Sequence, residues 1–288
     1  MIRVLVTGSS GFLATTLLRL LRNERPDWIA DTLSRSAKVS GESLAGAARC
    51  YAYDDIEKIE TEYRCVFHLA AYIPYGNQDT ETAELLAANV GLTLRLCQKF
   101  PSARFVYASS VSVYSDTDSE RLTEVSPLAI NTLGAYAATK LAGELIVRQA
   151  ASFAVVRFSS IFGPGMTAKT FLPLIIDAAL SRARITLFGS GTRRQNYVYN
   201  EDAAALLLAV AESANNGLLL GVAPEGPTNQ EVAETVARFV PGTVIEYKGE
   251  DNSRSYCFAQ LDPAGLLNNF TYLPFTEGLK RTVLDRKE

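Results

Sequence analysis

The 288 residues predict an α/β fold, a doubly wound parallel sheet with a smaller mixed C-terminal lobe, and three observations carry that prediction. Short β-branched and apolar runs alternate with helical patterns through the first half, the rhythm of repeated βαβ units. An apolar run at 2–7 leads straight into closely spaced glycines, Thr7-Gly8-Ser9-Ser10-Gly11-Phe12-Leu13-Ala14. At Phe162-Gly163-Pro164-Gly165 the rhythm breaks and becomes less regular, which marks a switch into a second lobe.

Taken in order, strands are expected near 2–7, 29–34, 49–53, 64–70, 103–109 and 153–159. Helical periodicity covers 12–22, 82–99 and 133–150. A strand at 196–200, a helix from Glu201 and a run at 217–222 return the chain to the sheet, so the lobe is discontinuous. An amphipathic helix at 229–240 and a closing helix at 276–287, with Glu277 in its first turn, complete it. Residues 1–163 therefore read as the main domain, with 195–222 returning to it, and 164–194 with 223–288 as the lobe.

Composition narrows the function. The chain is 48% apolar, enough for a large core, and its net charge of −3 comes without a basic block, so nucleic acid is not an expected partner. Four scattered cysteines, Cys50, Cys65, Cys97 and Cys257, and a single histidine suggest neither a disulfide framework nor a zinc site, and no metal is expected. A reducing cytoplasm fits this usage. The N-terminus reads as a strand rather than a signal peptide, and the apolar stretch at 203–211 is far too short to span a bilayer.

A strand, close glycines and a helix aim backbone N–H groups and a positive helix end at a pyrophosphate, which makes the predicted fold Rossmann-type. Gly8, Ser10, Gly11, Phe12 and Leu13 are the expected contacts, and Ala14 takes the third small position. Further on, Tyr136-Ala137-Ala138-Thr139-Lys140 puts a tyrosine and a lysine on one helix face, where an ammonium can favour the phenolate and make it an acid/base near neutral pH. The pairing points to a nicotinamide cofactor. The second strand ends Thr32-Leu33-Ser34-Arg35-Ser36 with no acid at Ser34, so Arg35, with Ser34, Ser36 and Lys38, is read as a 2'-phosphate site that favours NADP(H) over NAD(H). The competing reading makes Arg35 a solvated loop residue and Asp31 the ribose acid.

Together the motifs resemble the extended short-chain dehydrogenase/reductase family, in its NAD-dependent nucleotide-sugar epimerase, dehydratase and reductase branch. Asp55-Ile56 resembles its adenine-contacting pair, His68-Leu69-Ala70-Ala71 its segment beneath the cofactor, Asn89-Val90-Gly91 its central-helix asparagine and Ser109-Ser110-Val111-Ser112-Val113-Tyr114 its serine strand. Arg157 to Gly165 and Gln195 to Asp202 are similar to two later signatures. The resemblance implies that Ser110, Tyr136 and Lys140 are catalytic, and that Leu69, Ala70, Ala71 and Ser109 lie beside the cofactor. Ser109 remains a second candidate for the catalytic hydroxyl. His68 is read as packed and hydrogen-bonded, and Asn89 as the support of a helix distortion.

Dehydratases of that family place an acidic pair after the catalytic hydroxyl, where this chain has Val111-Ser112, so dehydration ranks below epimerisation and reduction. The family's diphosphate arginine aligns with Gln195; Arg193 and Arg194 precede it and either reach phosphate or are solvated, with Lys169 and Arg254 as weaker candidates. The expectation is hydride transfer at C4 of a nucleotide-sugar, by a 4-epimerase or a 4-ketoreductase. Reduction of a small aldehyde or ketone and non-catalytic dinucleotide binding are the alternatives. Surplus apolar residues on the helices at 82–99 and 133–150 predict a homodimer built on a four-helix bundle.

Overall fold

The computed structural model describes residues 1–36, 47–74, 82–115, 117, 121–167 and 170–287. Seven parallel strands form the central sheet: β1 (Ile2–Thr7), β2 (Trp28–Ser34), β3 (Ala47–Ala52), β4 (Cys65–His68), β5 (Arg104–Ser110), β6 (Phe153–Phe158) and β10 (Gly217–Gly221). Their spatial order is β10-β6-β5-β4-β1-β2-β3, so the direction of winding reverses between β1 and β4. This is the Rossmann-type sheet expected from the alternating runs. The central strands β4, β5 and β6 are largely apolar and bury both faces, as helix-covered parallel strands must.

On one face α1 (Phe12–Glu24) packs with α6 (Asn200–Glu212) around Leu17, Leu21, Leu206, Leu207 and Val210. The other face is covered by α2 (Thr82–Leu86), α3 (Leu92–Lys99) and α4 (Ala135–Val147), with Leu92, Leu96 and Val147 set against Phe105 and Tyr107. The smaller lobe has its own core, in which α5 (Phe171–Arg182), α7 (Asn229–Phe239) and α8 (Phe275–Asp285) enclose Phe162, Tyr197, Tyr199 and Phe275. Two further parallel pairs join the parts: β7 (Ser160–Phe162) with β9 (Tyr197–Tyr199), and β8 (Arg184–Phe188) with β11 (Val244–Lys248).

Two differences from the sequence reading have local causes. The helix expected over 82–99 is divided by a π-helical turn at Ala87–Gly91. There Asn89 accepts from Tyr72 N–H at 2.7 Å and donates to Tyr72 O and to Thr139 Oγ1, bonds that a regular helix would not direct at both neighbours. The helix expected from 133 begins at Ala135, because Gly134 is extended and a 3-10 turn at Ile130–Thr132 precedes it. The periodicity also missed α5, β8 and β11. α5 is apolar on most sides and has Pro173 in its first turn, where a missing N–H is tolerated.

Among the described residues no helix is long and apolar enough to cross a membrane, and no three His, Cys, Asp or Glu side chains gather where they could hold a metal. The four cysteines are free.

Candidate active site

The glycine loop leaves β1 where the winding of the sheet reverses, the usual place for a ligand in an open parallel sheet. Gly8 has a φ of +70°, and a Cβ there would fall 2.8 Å from Ala70 Cα. A Cβ on Gly11 would fall 3.0 Å from Gly8 O. Gly11 is extended and no side chain caps α1, so the first-turn N–H groups of Phe12 and Leu13 face out of the helix end. Ala14 is buried against the sheet. These features make a cradle that a side chain would fill, and it fits a dinucleotide pyrophosphate.

Thr7 Oγ1 closes the floor of that cradle by accepting from Leu69 N–H and Ala70 N–H, both at 3.1 Å. Its own proton must then go to His68 Nδ1 at 2.8 Å, which leaves Nε2 protonated and donating to Thr93 Oγ1 at 2.8 Å. Thr93 in turn donates to Asn89 O. Burial, and secondarily the Lys140 ammonium, push the His68 pKa down to about 3, so the ring is a neutral strut. The expectations for His68 and Asn89 hold.

At the end of β2, Ser34 Oγ donates to Ser36 O at 2.7 Å, while Arg35 and Ser36 are exposed. Arg35 faces Tyr53, whose hydroxyl burial pushes up in pKa and Arg35 draws down. Asp31 is fully buried, paired with Arg3 at 3.0 Å and accepting from Tyr63 at 2.9 Å. Its carboxylate belongs to the sheet, which removes the reading of Asp31 as the ribose acid. Lys38 lies outside the described residues. After β3, Asp55 pairs with Lys58 at 2.8 Å and is held below the usual carboxylate range by it, and Ile56 is buried in the core. Ala71 is exposed beside the loop.

Ser110 is the last residue of β5, and its Oγ accepts from Ser112 N–H at 3.1 Å as the chain enters a 3-10 turn. Tyr136 sits in the first turn of α4 and Lys140 one turn later, on one helix face. Burial pushes the Tyr136 pKa up to about 12, and a side-chain hydrogen bond with Ser110 opposes that rise. Burial pushes Lys140 down to about 7, opposed by Glu144. The expectation that Lys140 lowers Tyr136 is therefore corrected. Burial dominates at Tyr136, and the ammonium lies over the Tyr107 ring, 4.2 Å from its centroid.

Sequence reasoning missed the groups behind this set. Ser109 Oγ donates to Glu144 Oε1 at 2.6 Å, and Arg157 donates to both oxygens of that carboxylate, at 2.9 and 2.7 Å. Arg157 also donates to Tyr114 Oη, which donates to Thr123 O. Glu144 stands four residues after Lys140 in an otherwise apolar stretch of α4, and that lone charge was a usable signal.

In the lobe a cavity of about 790 Å³ is lined by Phe171, Ile175, Arg184, Phe188, Arg193 and Asp251, among others. Arg193 lines it and donates to Arg254 O. Arg194 does not line it and donates to Gly226 O, while Gln195 donates to Asn229 Oδ1 at 2.7 Å. Lys169 lies outside the described residues. Ser110, Tyr136 and Lys140 are not in the wall of this cavity.

A reversed parallel sheet with a glycine cradle, and a serine, tyrosine and lysine at the strand ends beside it, define an extended short-chain dehydrogenase/reductase. The chain belongs to the NAD dependent epimerase/dehydratase family, whose model matches residues 4–220. It is similar to the dTDP-glucose 4,6-dehydratase of Neisseria gonorrhoeae, 26% identical over 99% of this chain and 96% of that protein. Among solved structures it resembles MoeE5 in complex with UDP-glucose and NAD, with a TM-score of 0.82, 25% identity, and 99% and 98% of the two chains covered. It also shares its fold with the UDP-N-acetylglucosamine 4-epimerase of Methanobrevibacter ruminantium M1, with a TM-score of 0.85 at 19% identity over 99% and 98% of the chains.

Proposed function

We propose that this protein moves hydride at C4 of a nucleotide-linked hexose, as a 4-epimerase or a 4-ketoreductase. The observation that carries the reading is the meeting of Ser110 and Tyr136 at the end of β5, with buried Lys140 one turn behind and the glycine cradle alongside. The dinucleotide, when bound, supplies the group that accepts and returns hydride. With its pKa near 12, Tyr136 keeps its proton at neutral pH and is set to give it to a carbonyl oxygen as that oxygen gains charge. Ser110 orients the same oxygen. Lys140, brought by burial to about 7, supplies its positive charge one turn behind the phenol when protonated.

The choice against dehydration rests on Val111 and Ser112, the two residues after Ser110. Loss of water beside a ketone needs a base for one carbon and an acid for the departing hydroxyl. Val111 is packed on an apolar cluster, and the buried Ser112 hydroxyl has no partner among the described residues. Glu144, the acid behind this strand, is engaged by Arg157 and Ser109.

For the substrate handle, the lobe cavity is of ligand size and offers Phe171 and Phe188 to a base and Arg193 to a diphosphate. Arg193 thus takes the part that the resemblance gave to the position of Gln195. For the cofactor, Arg35 with Ser34 and Ser36 would hold a 2'-phosphate and favour NADP(H), whereas MoeE5 holds NAD. Exposed Leu86, Leu94 and Leu145 on α2, α3 and α4 support a homodimer through these helices. The reading is tested by incubating the protein and its Tyr136→Phe variant with a panel of nucleotide-sugars and NAD(P)+, and with 4-keto nucleotide-sugars and NAD(P)H. Turnover of at least one of them, lowered about 100-fold or more in the variant, is expected.

A further inference from the structure

Lys140 is 2% exposed, and an ammonium so buried stays charged only where something replaces water. The groups facing it come from several elements. Tyr136 and Glu144 lie one turn away on α4, His68 comes from β4, Tyr107 and Ser109 from β5, and Arg157 from β6 through Glu144. His68 is neutral, and Tyr107 and Tyr136 are held protonated chiefly by burial. Cys97 of α3 is likewise raised to about 12 by burial. The one anion in this set is Glu144, which favours the Lys140 charge from a distance while its oxygens are held by others: Oε1 accepts from Ser109 and Arg157, Oε2 accepts from Arg157, and Arg148 approaches at 3.7 Å. What touches the ammonium directly is the Tyr107 ring face, at 4.2 Å.

We propose that Tyr107 is a positioning residue whose ring face holds the Lys140 ammonium in its charged form and in its place. The strand and helix periods make the contact exact in register. Tyr107 and Ser109 are two apart on β5 and share a face, Lys140 and Glu144 are four apart on α4, and the two pairs meet one to one. Gly143 lets the ring lie flat, since a Cβ there would fall 2.2 Å from Tyr107 Oη. The hydroxyl makes no well-formed hydrogen bond among the described residues, although Thr93 stands near enough to draw its pKa down, so the ring is the part that meets the ammonium. Attraction of a cation to an aromatic face grows when both are out of water. Only the consequence for turnover rests on the proposed function; the contact itself does not.

The test is a ¹³C NMR titration of the lysine side chains in the full chain, with the Lys140 signal assigned by Lys140→Met. Burial brings Lys140 to about 7, within easy reach of such a titration. Tyr107→Phe should leave the midpoint and the melting temperature at wild-type values or better. Phenylalanine analogues with one, two and three ring fluorines at position 107 keep the shape and drain the ring face of charge, and should lower the midpoint stepwise, by about one pKa unit in total. A midpoint indifferent to fluorination would overturn the proposal. The readout needs no substrate, so failure of the proposed reaction would leave it standing.

Discussion

The Ser109 hydroxyl donates to Glu144 Oε1 at 2.6 Å, while its neighbour Ser110 opposes the burial-driven rise in the Tyr136 pKa. Ser110 meets Tyr136 in the first turn of α4 and Ser109 meets Glu144 further along it, so their losses should differ in kind. Ser109→Ala removes a bond to a buried carboxylate and should cost about 1–3 kcal/mol of stability with turnover near wild type. Ser110→Ala should leave urea unfolding nearly unchanged and lower turnover by about 100-fold. Denaturant titration beside steady-state kinetics separates them; the reverse pattern would make Ser109 the catalytic hydroxyl.

His68 makes stability depend on pH in a stated direction. Its pKa is about 3 in the folded protein against an ordinary value of about 6.5, so between those values the unfolded chain binds the extra proton. Stability from this group is present above about 6.5 and is lost as pH falls, by about 1.4 kcal/mol per unit at full effect. Urea unfolding at several values from pH 7 to 5 should show that slope in wild type and lose it in His68→Gln. Equal slopes would mean that the imidazole is not held neutral.

The proposed preference for NADP(H) turns on Arg35. Charge-assisted bonds to a 2'-phosphate are worth roughly 1.5–3 kcal/mol each, enough for tenfold or greater discrimination. Binding titrations should find NADPH tighter than NADH in wild type, and the two equal in Arg35→Ala. A wild-type preference for NADH would return the ribose site to an NAD-retaining epimerase.

Leu94 on α3 and Leu145 on α4 are both exposed, where a monomer gains nothing from them. Light scattering at micromolar concentration should give the mass of a dimer, and Leu145→Glu should give a folded monomer with an unchanged circular dichroism spectrum. Monomer mass in the wild type would exclude the bundle in solution.

Much of this was legible because local patterns and backbone needs coincide. Gly8 of the cradle is legible because a tight approach to Ala70 excludes a Cβ, and the central strands because burial on both faces makes them largely apolar. Tyr136 and Lys140 declare themselves by helical spacing. What stayed hidden depends on partners distant in sequence: Arg157 on Glu144, Asn89 on Tyr72 and Thr139, and Tyr107 under Lys140. Asp31 stood as a competing ribose acid for the same reason, since its pairing with Arg3 and Tyr63 cannot be read from the end of a strand. The π-turn at Ala87–Gly91 is likewise set by side-chain bonds rather than by periodicity.

Whether Ser110, Tyr136 and Lys140 act on a nucleotide-sugar without expelling water is read from the mass of the product. With NAD(P)+ and a panel of UDP- and dTDP-hexoses the product should have unchanged mass and altered C4 configuration, or, with NAD(P)H and a 4-keto substrate, be heavier by two hydrogens, and each should be abolished in Tyr136→Phe. A product lighter by one water would contradict it and make the chain a dehydratase despite Val111 and Ser112.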